Sequence, residues 1–287
     1  MATQTPLQSR VWNVVELFRD RFRKHDVLTY ASGIAFQALK SLIPLTLLGL
    51  GILGALGRRD IWTEHIAPAL QPRFDRPIYR AIDFAAEQIF AGNSAGVIAF
   101  SAALTVWYVS SVVRGVMGAI NRIYETDEER PLWLRWAISI GLAVCVVTAI
   151  VGAALLVLAV PNPAGAWEIP VGIVRWLGAI VMLTVAAALL VRLGPAKRRP
   201  ARWVTAGAVL VIVTWLVTSA LFRWYVASLA NFKTAVGELT VFIVLMLYAY
   251  ASSIVLLVGI EVDELLRAEA RAERQRGILG VLFGIGR

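Results

Sequence analysis

The chain is 287 residues long, 59% hydrophobic and only 16% charged, with a formal net charge of +9 and a mean hydropathy of +0.71. A soluble domain is about 45–50% apolar and about 25% charged, so an aqueous fold has nowhere to bury this much apolar surface, and collagen-like, disordered, disulfide-stapled and free cytosolic chains are excluded. The apolar residues gather in stretches matching the roughly 20 residues that a membrane-spanning helix needs, which predicts an all-α membrane protein with six transmembrane helices, an N-terminal interfacial helix and an amphipathic helical first loop.

In chain order, residues 1–26 read as a cytoplasmic amphipathic helix. Leu7, Val11, Val14, Val15, Phe18 and Phe22 recur at helical spacing among Arg10, Arg19, Arg21, Arg23 and Lys24, a pattern that suits an anionic leaflet and equally suits packing on a bundle. The first span covers residues 27–56. At 1.5 Å per residue it is about 45 Å long against a hydrocarbon core of about 30 Å, so it tilts, kinks or protrudes. Pro44 is the expected kink, and Gly49, Gly51, Gly54 and Gly57 after it permit close helix contact. Residues 58–92 are amphipathic, with an apolar stripe of Phe74, Ile78, Ile82, Ala85 and Ile89, and read as an exported helical loop capping the bundle. Further spans are predicted at 95–114, 134–160, 171–193, 203–227 and 239–261, separated by a polar turn at 125–131, a Pro-containing loop at 161–170 and a basic break at 192–202. Residues 27–264 thus form the transmembrane domain. Residues 265–287 form a cytoplasmic C-terminal helix to about 276, then a loose interfacial tail, GILGVLFGIG.

Orientation follows from basic residues in the connections. The two termini, the second loop and the fourth loop together carry nineteen Lys and Arg, against seven in the first, third and fifth loops. Both termini are therefore expected in the cytoplasm. Trp133, Trp136 and Trp203 then lie at the inner interface, and Trp167, Trp176 and Trp224 at the outer one.

No enzyme constellation assembles. His25 and His65 belong on opposite faces of the membrane, and the single cysteine, Cys145, lies within an apolar run, so no metal site is expected. Neither a Walker-type loop nor a G-x-S-x-G elbow occurs, and no cofactor is implied. The acidic run at 125–129 reads as a solvated turn paired with Arg122 and Arg130. Because the positive charge is spread over membrane-flanking loops, the expected partners are anionic lipid headgroups and not nucleic acid. A second copy of the chain or other envelope proteins are further partners this arrangement admits.

Polar groups at membrane depth are costly and therefore point to function. Lys40 lies about 20 Å along the first span, with Gln37 just before it; it either snorkels or faces a water-filled cavity. Arg114, Asn121 and Arg122 cluster at the inner end of the second span. The last span places Tyr248 and Ser252 near mid-depth and Glu261 at its inner end, within reach of Arg114 or Arg122. Gln37, Lys40, Arg114, Asn121, Arg122, Tyr248, Ser252 and Glu261 are accordingly the candidate substrate or lipid pathway, around a hollow shared by the first, second and last spans.

Three stretches, residues 30–48 (YASGIAFQALKSLIPLTLL), 106–131 (VWYVSSVVRGVMGAINRIYETDEERP) and 232–264 (FKTAVGELTVFIVLMLYAYASSIVLLVGIEVDE), resemble the YihY/BrkB family of bacterial inner-membrane proteins, once assigned as ribonuclease BN. The resemblance implies a family pattern at Ser41, Pro44, Asn121, Arg122, Tyr124, Gly237, Gly259 and Glu261; Lys40 departs from the small or apolar residue expected beside that serine. It also implies a cytoplasmic-membrane location and a link to envelope integrity or serum resistance, as a virulence factor. The expected function is a transporter or flippase for an amphiphilic, anionic envelope component, a lipid or lipid-linked glycan. A non-transporting scaffold or assembly factor is the alternative, and a ribonuclease is not expected.

Overall fold

The computed structural model describes residues 16, 19–72, 76–92, 94–158, 168–196, 204–228 and 235–283, without the side chains of 78, 94, 168, 204–210, 212, 226–228, 235–241 and 269–283. Among the described residues every regular element is helical. The long helices are α1 (Val27–Ala55), α2 (Arg76–Ala91), α3 (Ser94–Ile123), α4 (Leu132–Leu158), α5 (Glu168–Leu193), α6 (Val204–Ser228) and α7 (Ala235–Phe283). Five stretches within them are long and apolar enough to cross a bilayer: Val27–Ala55, Ala95–Ile123, Leu132–Leu158, Ile169–Leu193 and Phe242–Ala268. The predicted fifth span corresponds to the 25-residue helix α6.

Helix α1 lies at the centre, packed most extensively on α3 and also on α7; α4 joins α3 to α5, and α6 lies against α7. Close approach of α1 and α3 depends on Gly115, where an added Cβ would come within 3.1 Å of Ile34. The three helices meet in a core that includes Val27, Ala31 and Ile34 of α1, Val116, Ile120 and Ile123 of α3, and Leu257 and Ile260 of α7. At this end of the bundle the space expected to be a shared hollow is filled by β-branched and leucine side chains. A cavity of about 620 Å³ lies elsewhere, between α4 and α5, bordered by Val157, Ile169, Ile173, Arg175 and Trp176. There Arg175 Nε donates to the Leu156 carbonyl at 3.1 Å, satisfying a free carbonyl at the end of α4.

Several predicted boundaries move. Helix α3 does not stop at Arg114 but continues to Ile123, so Arg114 lies inside it. Helix α7 runs from Ala235 to Phe283 without a break at 264, and the backbone of the expected loose tail is helical through Phe283. The 161–167 part of the predicted loop and most of residues 1–18 lie outside the described residues, while residues 19–24 are helical. Helix α1 passes unbroken through the buried Pro44. It ends where Gly57 adopts φ +65°: Gly57 N–H donates to Gly54 O at 3.1 Å and Arg58 N–H to Leu53 O at 2.9 Å. These are the paired closing bonds of a helix stop that favours glycine. Of the glycines expected at helix contacts, Gly51 and Gly54 lie against Ile98 and Phe90, but Gly49 faces open space.

Between α1 and α2, a π-helical turn at Trp62–Ile66 lies between short α-helical turns at Arg59–Ile61 and Ala67–Leu70. Trp62, Ala67 and Ala86 are buried against Leu50 of α1, with Tyr79, Ile82, Ile89 and Phe90 packed around them. The buried alanine of α2 is Ala86, not Ala85, because the stripe steps 79–82–86–89 and leaves Ala85 exposed. Trp62 Nε1 donates to Asp83 Oδ1 at 2.9 Å, and Arg59 pairs with Glu87, which ties α2 to the turns before it.

Candidate functional site

At one end of the bundle, the turn before α1, the end of α3 and the middle of α7 converge. His25 and Glu261 are 2% and 0% exposed, and His25 Nδ1 lies 2.8 Å from Glu261 Oε2. His25 Nε2 lies 3.6 Å from Glu125 Oε1, so the ring stands between one sealed and one solvated carboxyl. Glu261 Oε1 is buried without a hydrogen-bond partner. The expected partners of Glu261, Arg114 and Arg122, are engaged elsewhere. Arg122 Nη2 donates to Lys24 O at 3.2 Å and to Asp26 Oδ2 at 3.3 Å, and the Lys24 ammonium donates to Glu125 Oε1.

Two residues here hold left-handed backbone without being glycine: Asp26 at φ 52° and Glu125 at φ 47°. Such geometry costs on the order of 1 kcal/mol each and persists when surroundings over-determine it; the Arg122–Asp26 and Lys24–Glu125 pairs supply that constraint. Lys24, with His25 behind it, holds the Glu125 carboxyl below the usual carboxylate range.

Asn121 forms a second junction beside this one. Its Nδ2 donates to Glu128 Oε2 at 2.9 Å, and its Oδ1 accepts from Ala196 N–H at 2.8 Å. Arg130 donates to both Glu128 oxygens and to the Gly194 carbonyl. The 125–131 turn is thus paired through Arg130 as expected, whereas Arg122, the other expected partner, turns to Asp26 and the Lys24 carbonyl, and the turn also anchors the chain leaving α5. Bonded to Arg130, and more weakly to Asn121, the Glu128 carboxyl is held below the usual range. A depressed carboxyl stabilises the fold above its unfolded value, about 4.3, and that stabilisation is lost as pH falls through the folded value. Amide exchange at Ala196, corrected for intrinsic rate, is therefore expected to accelerate below about pH 4 and to change little between about pH 6 and 8; protection as strong below about pH 4 as at neutral pH would refute the anchor.

Arg114 occupies a different neighbourhood. Nη1 donates to Ser110 Oγ at 2.9 Å and to Ser139 Oγ at 3.2 Å, and Nη2 to Ser111 Oγ at 2.7 Å. The guanidinium lies 3.9 Å from the Trp136 ring centroid. Lys40 projects from an exposed position on α1, its Nζ 5.4 Å from the Phe36 ring and 5.1 Å from the Tyr108 ring. Gln37 is half-buried on the same helix. On α7, Tyr248 shares a 2.9 Å hydrogen bond with Ser219 of α6 and meets Phe222 edge-on; Ser252 Oγ is buried without a partner.

The predicted residues are therefore spread over separate places: Glu261 at the sealed contact with His25, Arg122 on the turn before α1, Asn121 in the junction with the chain leaving α5, Arg114 at the α3–α4 contact, Lys40 on the outer face of α1, and Tyr248 at the α6–α7 contact. The sequence reading missed His25, weighed there only as a metal ligand. The available signal was depth, since His25 precedes the first span by two residues and Glu261 ends the last predicted one. Among the described residues no group of three His, Cys, Asp or Glu side chains is placed to hold a metal ion.

The virulence factor BrkB family model matches residues 18–278. The chain belongs to this family of membrane proteins. It is 26% identical to the putative ribonuclease-like protein YfkH of Bacillus subtilis, over 88% of this chain and 94% of that one. It is also 26% identical to a UPF0761 membrane protein of Alkalilimnicola ehrlichii, over 89% of this chain and 58% of the relative. A UPF0761 membrane protein of Alteromonas mediterranea is 25% identical over 87% and 88% of the two chains. No solved structure matches the chain. The family match bears out the resemblance drawn from the three sequence stretches.

Proposed function

We propose that this membrane protein is a non-enzymatic carrier, a transporter or flippase, for an amphiphilic anionic component of the cell envelope such as a phospholipid or lipid-linked glycan. It would cross the cytoplasmic membrane six times, α6 included, with residues 58–92 exported and both termini inside. The observation that carries the reading is positive charge within spans without acid beside it. Lys40 on α1 and Arg114 on α3 lie against aromatic rings, and neither makes an ion pair with a carboxylate among the described residues. A charge at such depth is expensive unless water, a carboxylate or an anionic ligand accompanies it. Since the core between α1, α3 and α7 is packed, the headgroup route follows the outer face of α1, where Lys40 is exposed. No ATP-binding loop occurs in the sequence, so movement would be passive, gradient-coupled or driven by a partner.

The test is reconstitution into liposomes carrying a labelled phospholipid in one leaflet. Labelled lipid is expected to change leaflets faster than in protein-free liposomes, and Lys40→Gln is expected to slow this severalfold without altering reconstitution. Liposomes in which no lipid moves in either direction would remove the carrier reading and leave the scaffold.

A further inference from the structure

We propose that Arg114 and Arg135, beside the Trp136 indole, form a binding site for a phosphate group carried on a lipid or free in solution, the hydroxyls of Ser110, Ser111 and Ser139 positioning the Arg114 guanidinium. The site takes its role from the carrier reading but its chemistry stands without it.

The argument begins with charge. The bonds made by Arg114 all go to neutral hydroxyls, which solvate a guanidinium without neutralising it. The Ser110 and Ser139 hydroxyls donate to the Trp107 and Trp136 carbonyls at 2.7 and 2.9 Å, so their lone pairs are turned to the guanidinium. Stacking on Trp136 adds a cation–π contact, which does not replace the counter-ion a partly buried charge requires. Arg135, one turn into α4, stands one helical turn before Ser139, which bonds Arg114, so it brings a second positive charge to the same face of α4. Its Nε is buried without a hydrogen-bond partner. Neither arginine makes an ion pair with a carboxylate among the described residues. Two guanidiniums held together without an acid are stabilised by a shared anion.

Donor geometry narrows the choice of anion. A guanidinium has five N–H donors in a fixed fork. Three on Arg114 are directed at serines, which leaves two, and the Arg135 Nε supplies another. Several N–H donors from two guanidiniums match an acceptor with three or more oxygens, the arrangement for which arginine is suited. A carboxylate, with two oxygens, fits such a set less fully.

Depth then argues for a ligand at the bilayer surface. Trp133 and Trp136 lie in the first turns of α4 and are 71% and 37% exposed, beside Leu132 at 74%. Tryptophan side chains favour the headgroup level, and Trp136 touches both Arg114 and Trp107, whose ring centroid is 5.5 Å away. A site beside these tryptophans would lie near the headgroup level, where the phosphates of a leaflet are.

The experiment uses the full chain in detergent, offered phosphatidic acid, diacylglycerol, or cholesteryl hemisuccinate as an anionic amphiphile without phosphate, with retained lipid counted by native mass spectrometry. Wild-type protein is expected to retain phosphatidic acid over both others, and Arg114→Gln and Arg135→Gln each to lower that retention about tenfold. Arg114→Lys, which keeps the charge but not the fork, is expected to fall between. If Arg114→Gln does not fold, Arg135→Gln carries the test. Displacement by millimolar inorganic phosphate assigns the site to free phosphate, and persistence against it assigns the site to a lipid headgroup. Equal retention of hemisuccinate, or retention that neither substitution changes, overturns the site. Binding without movement in the liposome assay removes the carrier and keeps the site; lipid movement together with retention that neither substitution lowers removes the site and keeps the carrier.

Discussion

His25→Ala is expected to cost about 1–3 kcal/mol of stability, the range for leaving a buried polar group without its hydrogen-bond partner, and to lower the unfolding transition by roughly 2–10 °C. The reason is what remains behind. Glu261 is fully buried, one of its oxygens already lacks a partner, and the other is bonded to His25. Without the imidazole, the carboxyl is stranded. Glu261→Gln keeps an acceptor facing His25 and should cost less. The His25→Phe/Glu261→Leu pair removes both polar groups together and should cost less than the two single losses combined, because no orphan is left. Strict additivity would show that the two side chains do not interact. A second readout is local. Residues 19–24 are joined to α1 through the strained turn at Asp26, and Phe22 packs against the core shared by α1, α3 and α7. Trypsin is therefore expected to cut at Arg21, Arg23 or Lys24 faster in His25→Ala than in wild type at the same temperature.

That pair also marks where reading the sequence succeeds and where it stops. Hydropathy reveals helices, since a helix in lipid satisfies its own backbone and needs only a run of apolar side chains; α1, α4 and α5 fall within a few residues of their expected bounds. Charge is a poorer ruler. Arg114 looks like a boundary because it interrupts an apolar run, yet α3 continues nine residues beyond it, with the three serines and Trp136 accommodating the guanidinium. The residues after 264 look like a separate segment because they are charged, but α7 has no glycine or proline at that point to end it. The His25–Glu261 contact joins positions 236 residues apart, and no periodicity encodes such a pairing. What the sequence does contain is the constraint that a sealed acid must find a donor at its own depth, with His25 standing there.

The same constraint gives Asn121 its expected effect, a loss of about 2–3 kcal/mol on replacement by Ala, from two hydrogen bonds with partly buried partners. An amide is suited to this position because it donates and accepts at once. Nδ2 holds Glu128 in the turn after α3, and Oδ1 holds the Ala196 N–H just beyond α5, so one side chain joins the ends of two spans that are 75 residues apart in sequence. Asn121→Asp separates the two halves of that role. An aspartate still accepts from Ala196 but places a negative charge against Glu128, whose carboxyl is held below the ordinary range chiefly by Arg130 and therefore stays ionised at neutral pH. Asn121→Asp is accordingly expected to be at least as damaging as Asn121→Ala at pH 7 and to recover toward wild type as the medium is acidified toward pH 5 and the new carboxyl takes up a proton, while Asn121→Ala shows no such recovery. Thermal unfolding of both variants at the two pH values measures this, and an Asn121→Asp protein as stable as wild type at pH 7 would mean that the Asn121–Glu128 bond contributes nothing to holding α3 and α5 together.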